Sequence, residues 1–500
     1  MNLRLSKQAL ILPLIILIAL VLRLWKWPDY LVFDHEKTRD LLDSLIIYKD
    51  LNITLLGPTT EIDGVFHGPL YYYLVGFFYF IFGGDPKAGS IISFGFNILG
   101  ILTLYFIGKD LFGKRVGLIA SFLYAVSFES VSYAFWLSNP GPSIPLIFLM
   151  FYFFYKFLTR PTKKLSPYLA LSLFCYGLTI QFQVLNFVFA IPLFILFLLS
   201  KKHLPSLKTL FVGLIAFLVS ISTFIIYELK YNFLMIKGIF GKVFIPMFSG
   251  GGEAQTASHP ALEYFPRFLN LSNMVFFPVQ YWVGAVIFII ILGTCFYQFK
   301  KSREFRWIFI LVWIFSTFPV FFIPSRISSG YSAFIGVAGA LILVAAFLLN
   351  SILNKNKIIF TAILLVFAAA NVYAVNNYLT NYQIRLFDYF QNLTLKNNFD
   401  LIDYSYNDAA GSQFKTDTVT SPLFISKTWD YLYDWRGKTK FGTTPKREGQ
   451  PLIGYLILEP YAPVAFKEKA IEKANREGDL VDEKKFGEVT IQKRILKYND

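Results

Sequence analysis

The sequence predicts an α-helical polytopic membrane protein with a small C-terminal α/β domain on the extracytoplasmic side. Three observations predict it. First, 55% of the 500 residues are hydrophobic and only 16% are charged, against about a quarter charged in soluble globular chains. Second, apolar runs long enough to cross a bilayer, roughly 17–25 residues, recur between residues 8 and 376. Third, the basic excess is uneven. Of 47 Lys+Arg and 32 Asp+Glu, 18 and 17 fall from Asn377 onward, leaving 29 and 15, net +14, before it. An excess of that size would suit nucleic acid in a soluble protein. Here the cations sit in short loops between apolar spans, where topology accounts for them, so no nucleic-acid partner is expected.

The spans fall at residues 8–25, 89–108, 116–134, 142–158, 167–182, 184–200, 208–228, 276–298, 306–323, 331–349 and 357–376, about eleven in all. The first follows Arg4 and Lys7 and has no small-residue cleavage site, so it reads as a retained anchor. Residues 69–83 are apolar but short and open after Gly68-Pro69, which suits a re-entrant or interfacial helix. With that segment not crossing, the loops holding Lys109, Lys114-Arg115, Arg160, Lys163-Lys164, Lys201-Lys202, Lys300-Lys301, Arg303, Arg306, Lys355 and Lys357 share one side with the N-terminus. Short basic loops are cytoplasmic, so the expected setting is a cell membrane with the N-terminus inside. The other face then carries the loop 26–68, the turn Trp136–Pro142, a loop 229–275 and the tail. Gly250-Gly251-Gly252 gives loop 229–275 a flexible point, so it can act as a lid or simply link two spans.

The expected domains are a transmembrane catalytic part, 1–376, and an extracytoplasmic α/β part, 377–500. In the tail, Asp400–Tyr406, Leu452–Leu458 and Glu488–Leu496 alternate like strands, and Phe466–Glu477 reads as an amphipathic helix. Trp429, Tyr431, Tyr433 and Trp435 either stack on a sugar or form core. Cys175 and Cys295 both fall in spans and show no metal-ligand spacing.

Chemistry concentrates in the first loop, which gathers Asp34, Glu36, Asp40, Asp43, Asp50, Glu61 and Asp63 and two of the four histidines, His35 and His67. A dense ionisable cluster at a membrane edge is a candidate site by default, against the plain alternative of a solvated loop. Leu41, Leu42, Leu45 and Ile46 share one helical face, opposite most of the charges, so an interfacial helix is expected with Asp34 near its start. Asp34 is the first choice for chemistry, and capping that helix is its structural alternative. Arg326, within Ile323–Tyr331, has serines beside it and suits a phosphate oxyanion, or else snorkels to the interface. Glu129, Gln181, Gln183 and Asn186 fall on the same expected side as the acidic loop. Acids, a phosphate-binding cation and a lid suggest glycosyl transfer from a lipid phosphate, and on residue chemistry alone a transporter stands level with it.

The chain resembles the membrane glycosyltransferases of the GT-C class, in particular the family 39 group of protein O-mannosyltransferases and bacterial aminoarabinose transferases. The residues carrying the resemblance are Phe33-Asp34-His35-Glu36 with Arg39-Asp40, Leu56-Gly57-Pro58, Phe66-His67-Gly68-Pro69-Leu70-Tyr71-Tyr72, Leu111-Phe112-Gly113, and Trp136 with Asn139-Pro140. Pro324–Tyr331 looks like a degenerate form of the family's arginine-tyrosine segment. The resemblance implies a GT-C transmembrane fold, a polyprenyl-phosphate sugar donor, and inverting transfer on the extracytoplasmic face to a lipid, glycan or protein acceptor. It implies Asp34 as catalytic base or acceptor-positioning carboxylate, with Glu36 assisting. Arg326 and Tyr331 would bind the donor phosphate, and His67, Asn139 and Gln183 would line the substrate site. Asn139 is a departure, since many relatives carry an aspartate there, and an amide orients a substrate without acting as a base. A divalent metal is the one cofactor to consider, on Asp34, His35, Glu36 and His67, although no ligand spacing supports it. The competing readings are a lipid-linked sugar flippase or transporter and a non-catalytic membrane assembly protein.

Overall fold

The structure, a computed structural model, describes residues 10–60, 62–160, 166–200, 204–245, 260–322, 334–378, 393–446 and 449–498. It divides into two compact units. One comprises Met1–Trp25, Ile53–Leu74 and Ile91–Asn377, and the other Lys26–Asn52, Val75–Ser90 and Tyr378–Asp500.

The first unit is helical, and each predicted span holds a helix. Among the described residues, Ser90–Phe112, Tyr281–Ser302, Ala338–Lys355 and Lys357–Asn377 are each long and apolar enough to cross a bilayer, and counting each of two bent pairs as one span brings the number to six. The other apolar helices among the described residues, such as Ile11–Leu24 and Ser143–Thr159, are shorter.

The bends show how the chain handles backbone groups freed in an apolar interior, where each must find a protein partner. Lys114–Val126 and Phe128–Phe135 meet at 53°. There the Phe128 amide donates to Asn371 Oδ1 at 2.8 Å, and Asn371 Nδ2 donates to the Phe276 and Phe367 carbonyls. From the first helix, the buried Arg23 guanidinium donates to the Ala125 carbonyl at 2.9 Å, Ser130 Oγ at 2.9 Å and Asn97 Oδ1 at 2.7 Å. Leu207–Ser220 and Ser222–Lys230 meet at 69°. Gln181 Nε2 donates to the Ser220 carbonyl at 3.1 Å and to Thr223 Oγ1 at 2.8 Å.

In the second unit the first loop and the tail fold together. Phe33 N donates to the Leu393 carbonyl and Leu395 N to the Leu31 carbonyl, both at 2.8 Å, and Asn398 Nδ2 donates to the Phe33 carbonyl. The predicted interfacial helix is His35–Lys49. Helix Leu70–Ile81, the short segment after Gly68-Pro69, runs about 18 Å at 1.5 Å per residue, well short of a hydrocarbon core of about 30 Å. Its second half packs on His35–Lys49, with Tyr48 stacked on Phe80.

The tail holds a four-stranded sheet in the order β1 (Phe414–Val419), β2 (Ile453–Leu458), β4 (Val489–Leu496), β3 (Gly478–Phe486). β1 and β2 are parallel, and the other pairings are antiparallel. Strands β2 and β4 and helix Val464–Glu477 fall where the sequence predicts them. Asp400–Tyr406, however, is not a strand. It lies inside helix Leu395–Ala409, whose buried residues Leu395, Asn398, Leu401, Ile402, Ser405 and Ala409 recur at three and four. The alternation seen across seven residues was too short a window to separate a period of 2 from one of 3.6. Trp429 and Tyr433 are buried core residues of helix Lys427–Arg436, and Trp435 stacks on Phe399.

Candidate functional site

Asp34 is the N-cap of helix His35–Lys49. Its extended backbone (φ −119°) lets Oδ1 accept from the Glu36 amide at 2.9 Å and the Lys37 amide at 3.2 Å. Two of the orphan amides of the first turn are thereby satisfied. Oδ2 faces Lys37 Nζ at 3.1 Å, and Asp34 is fully buried at 0% exposure. Lys37 also reaches Glu36 Oε2 at 3.3 Å, so one buried cation joins the two predicted acids. Burial opposes its charge, yet Asp34 and Glu36 outweigh burial and push the Lys37 ammonium up to about 12. The Lys37 charge in turn holds the Glu36 carboxyl below the ordinary range, and the Glu36 side chain is 44% exposed. Glu36 is therefore the ionised carboxylate that solvent or a ligand reaches first.

The same helix adds a second buried acid. Asp40 accepts from Arg39 Nη2 at 2.8 Å and Arg39 Nε at 3.0 Å. Burial pushes its carboxyl up to about 6, against the pull of Arg39. Burial lowers the His35 imidazole, with Asp34 and Glu36 opposing that shift. Among the described residues no group of three or more His, Cys, Asp or Glu is arranged to hold a metal ion. The set Asp34, His35, Glu36 and His67 does not fit one, since Asp34 Oδ2 is engaged by Lys37.

The other predicted site residues lie in the first unit, where His67, Asn139 and Gln183 come together at the junction after helix Pro167–Phe182. His67 Nδ1 accepts from the Val184 amide at 3.1 Å. Asn139 Nδ2 donates to the Phe182 carbonyl at 2.5 Å, and the Gln183 amide donates to the Thr179 carbonyl at 2.9 Å. Asn186 Nδ2 reaches the Thr179 carbonyl at 3.0 Å. The Gly68 amide donates to the Gln181 carbonyl at 2.8 Å, and a Cβ on Gly68 would collide with the Gln181 side chain. The absence of a side chain is what lets the His67-Gly68-Pro69 segment approach this junction. Asn139 and Gln181 thus serve a helix end and a bend, whatever else they contact. Glu129 is buried at the other bend.

Of the loop 229–275, helix Leu234–Ile239 lies against the first loop: Phe66 N contacts Met235 Sδ, and Lys242 Nζ meets Asp63 Oδ2 at 3.1 Å. Arg326, Tyr331, Glu61 and Gly250-Gly251-Gly252 lie outside the described residues. Sequence reasoning missed Lys37. Its signal was its place three residues after Asp34, where an i,i+3 ion pair forms on a helix. It also missed Thr38, whose hydroxyl donates to the Asp34 carbonyl at 2.9 Å.

A family model described as dolichyl-phosphate-mannose-protein mannosyltransferase matches residues 66–227. No curated protein matches the chain in sequence. By fold, the chain is similar to ArnT from Cupriavidus metallidurans bound to undecaprenyl phosphate, with TM-score 0.61, 10% identity and 98% of each chain covered. The apo form of that protein gives TM-score 0.60 and 11% identity over the same shares. The oligosaccharyltransferase of Archaeoglobus fulgidus in the apo form gives TM-score 0.50 and 14% identity, covering 85% of this chain and 63% of that one. The fold of this chain is thus shared with that of ArnT over nearly the whole length of both, and the family model matches within it.

Proposed function

We propose that the chain transfers a sugar from a polyprenyl-phosphate donor to an acceptor hydroxyl on the extracytoplasmic face, with inversion at the anomeric carbon. The observation that carries this reading is the fold likeness, over 98% of both chains, to a protein whose structure holds undecaprenyl phosphate. In an inverting transfer the acceptor oxygen bonds to the anomeric carbon as the bond from that carbon to the phosphate oxygen breaks. The acceptor proton passes to a carboxylate, and the electron pair leaves with the phosphate. A positioned base contributes roughly 10²–10⁴-fold to such a step.

Asp34 takes the acceptor proton in this reading, and Glu36 assists. Asp34 is sealed in this structure, so the acceptor reaches Oδ2 only once Lys37 moves aside. The outgoing phosphate falls to Arg326 and Tyr331, and His67 and Gln183 contact substrate, with Asn139 as the orienting amide. The acceptor is a lipid, glycan or protein of the cell envelope. The engagement of both Asp34 oxygens favours one second reading, in which Glu36 is the base and Asp34 holds the first turn in place. Asp34→Asn keeps an oxygen for the cap and loses the charge, and Glu36→Gln removes the exposed carboxylate. Loss of transfer in Asp34→Asn, with expression and folding intact, supports the first reading. Loss in Glu36→Gln alone supports the second, and full activity in both removes these acids from the mechanism.

A further inference from the structure

A further buried acid, contributed by the tail, lies near the first-loop carboxylates. Glu459 follows β2 and is 4% exposed. Its Oε1 accepts from the indole Nε1 of Trp429 at 2.9 Å, and its Oε2 accepts from the Ser421 amide at 2.6 Å. Trp429 is itself buried, so the bond fixes a large side chain on helix Lys427–Arg436. The residue before it, Thr428, meets Thr38 hydroxyl to hydroxyl at 3.1 Å, and both are buried. Thr38 donates to the Asp34 carbonyl, which closes a connected path from Glu459 to the first turn of helix His35–Lys49. Tyr431, on the same tail helix, donates to the Gly84 carbonyl. A carboxylate taken out of water this far normally has a reason to be there, because an apolar side chain would fill the space without desolvation cost.

We propose that Glu459 is a positioning residue for Asp34 and Glu36: it clamps Trp429, and through Thr428 and Thr38 it fixes the turn on which both acids stand. The inference rests on the glycosyltransferase reading for its consequence and on this hydrogen-bonded path for its geometry. Burial, with the Asp34 charge adding to it, pushes the Glu459 carboxyl up to about 7 against the pull of the Ser421 amide and the Trp429 indole, which agrees with its lying close to the acid cluster. Glu459 touches no reacting atom in this scheme. Its loss lets the first turn wander, so it lowers turnover and leaves donor capture by other residues intact.

Two measurements test it. In a chain carrying Cys175→Ser and Cys295→Ser, the pair Thr38→Cys and Thr428→Cys is oxidised, and disulfide formation is timed with Glu459 intact and with Glu459→Ala. The expected result is rapid cross-linking that slows about tenfold without Glu459, the scale of one charge-assisted hydrogen bond. In parallel, sugar transfer by Glu459→Ala, Glu459→Gln and Trp429→Phe is compared with wild type. The expected result is a fall of about tenfold in kcat with donor KM unchanged, and partial recovery in Glu459→Gln, which keeps one acceptor oxygen. Where Glu459→Ala fails to fold, Trp429→Phe carries both measurements, since it leaves Glu459 in place and removes the indole N–H that it accepts from, along with part of the ring. Unchanged cross-linking, or a rise in KM at constant kcat, overturns the proposal. Cross-linking of the cysteine pair as described, beside a wild-type protein that transfers nothing, refutes the glycosyltransferase reading instead.

Discussion

Replacing Lys37 with methionine removes the buried cation and leaves Asp34 charged, fully buried and held only by the two amides of the first turn. Lys37 stands at about 12 against an ordinary 10.5, so the acids around it favour its charged form by about 2 kcal/mol beyond the cost of burial. Removing one partner of a buried pair costs about 3–5 kcal/mol because the other charge is left uncompensated. The capping amides offset part of this, so Lys37→Met is expected to destabilise the first turn by about 3 kcal/mol, a factor of about one hundred in local opening. The assay is hydrogen exchange of the amides of residues 36–40 in the solubilised protein. Asp34→Asn loosens the turn as well. The double variant is expected to lose less than the sum of the two, with a coupling of about 2 kcal/mol, since no unpaired charge remains. Exchange in Lys37→Met within twofold of wild type, or strict additivity, refutes the claim that Lys37 holds Asp34 in place.

Arg23→Leu leaves Asn97 Oδ1, Ser130 Oγ and the Ala125 carbonyl without the guanidinium beside a bent span. A loss of about 2–4 kcal/mol is expected, read as a lower melting temperature in detergent. Arg23→Lys does not rescue it, because one ammonium cannot match the fork of donors. Asp40 binds protons more tightly folded, at about 6, than unfolded, at the ordinary 3.8. Its contribution to stability is therefore greatest below about pH 4 and is lost as pH rises to about 6, by about 3 kcal/mol. Relative to Asp40→Asn, wild type loses thermal stability between pH 4 and pH 6.5, and a gap that is constant across that window contradicts the assignment.

The apolar helices were legible because a bilayer-sized run of hydrophobic residues has few other uses. Their bends were not. Hydropathy does not register a 53° break, and the groups that satisfy it, Arg23 and Asn371, come from distant parts of the chain. Glu36, Asp34 and the helix they begin were legible from local spacing. The joining of residues 29–33 to residues 393–398 was not, since no local pattern announces a pairing across most of the sequence. The polar residues Gln181, Asn139 and Asn186 stood out in an apolar stretch. The structure shows what each does for the backbone, a demand that sequence alone cannot distinguish from contact with substrate. Glu459 carried no signal, because a lone acid after a strand is ordinary until Trp429 and Thr428 are seen beside it.

The central claim is that sugar leaves a polyprenyl phosphate and arrives on an acceptor. The most direct test incubates the purified protein in lipid with a panel of radiolabelled polyprenyl-phosphate sugars and a membrane extract, beside Asp34→Asn and Glu36→Gln. The account predicts label in a new product with wild type and none when the essential acid is replaced. Absence of transfer from every donor, together with movement of donor between leaflets, contradicts it and makes the protein a carrier of lipid-linked sugar.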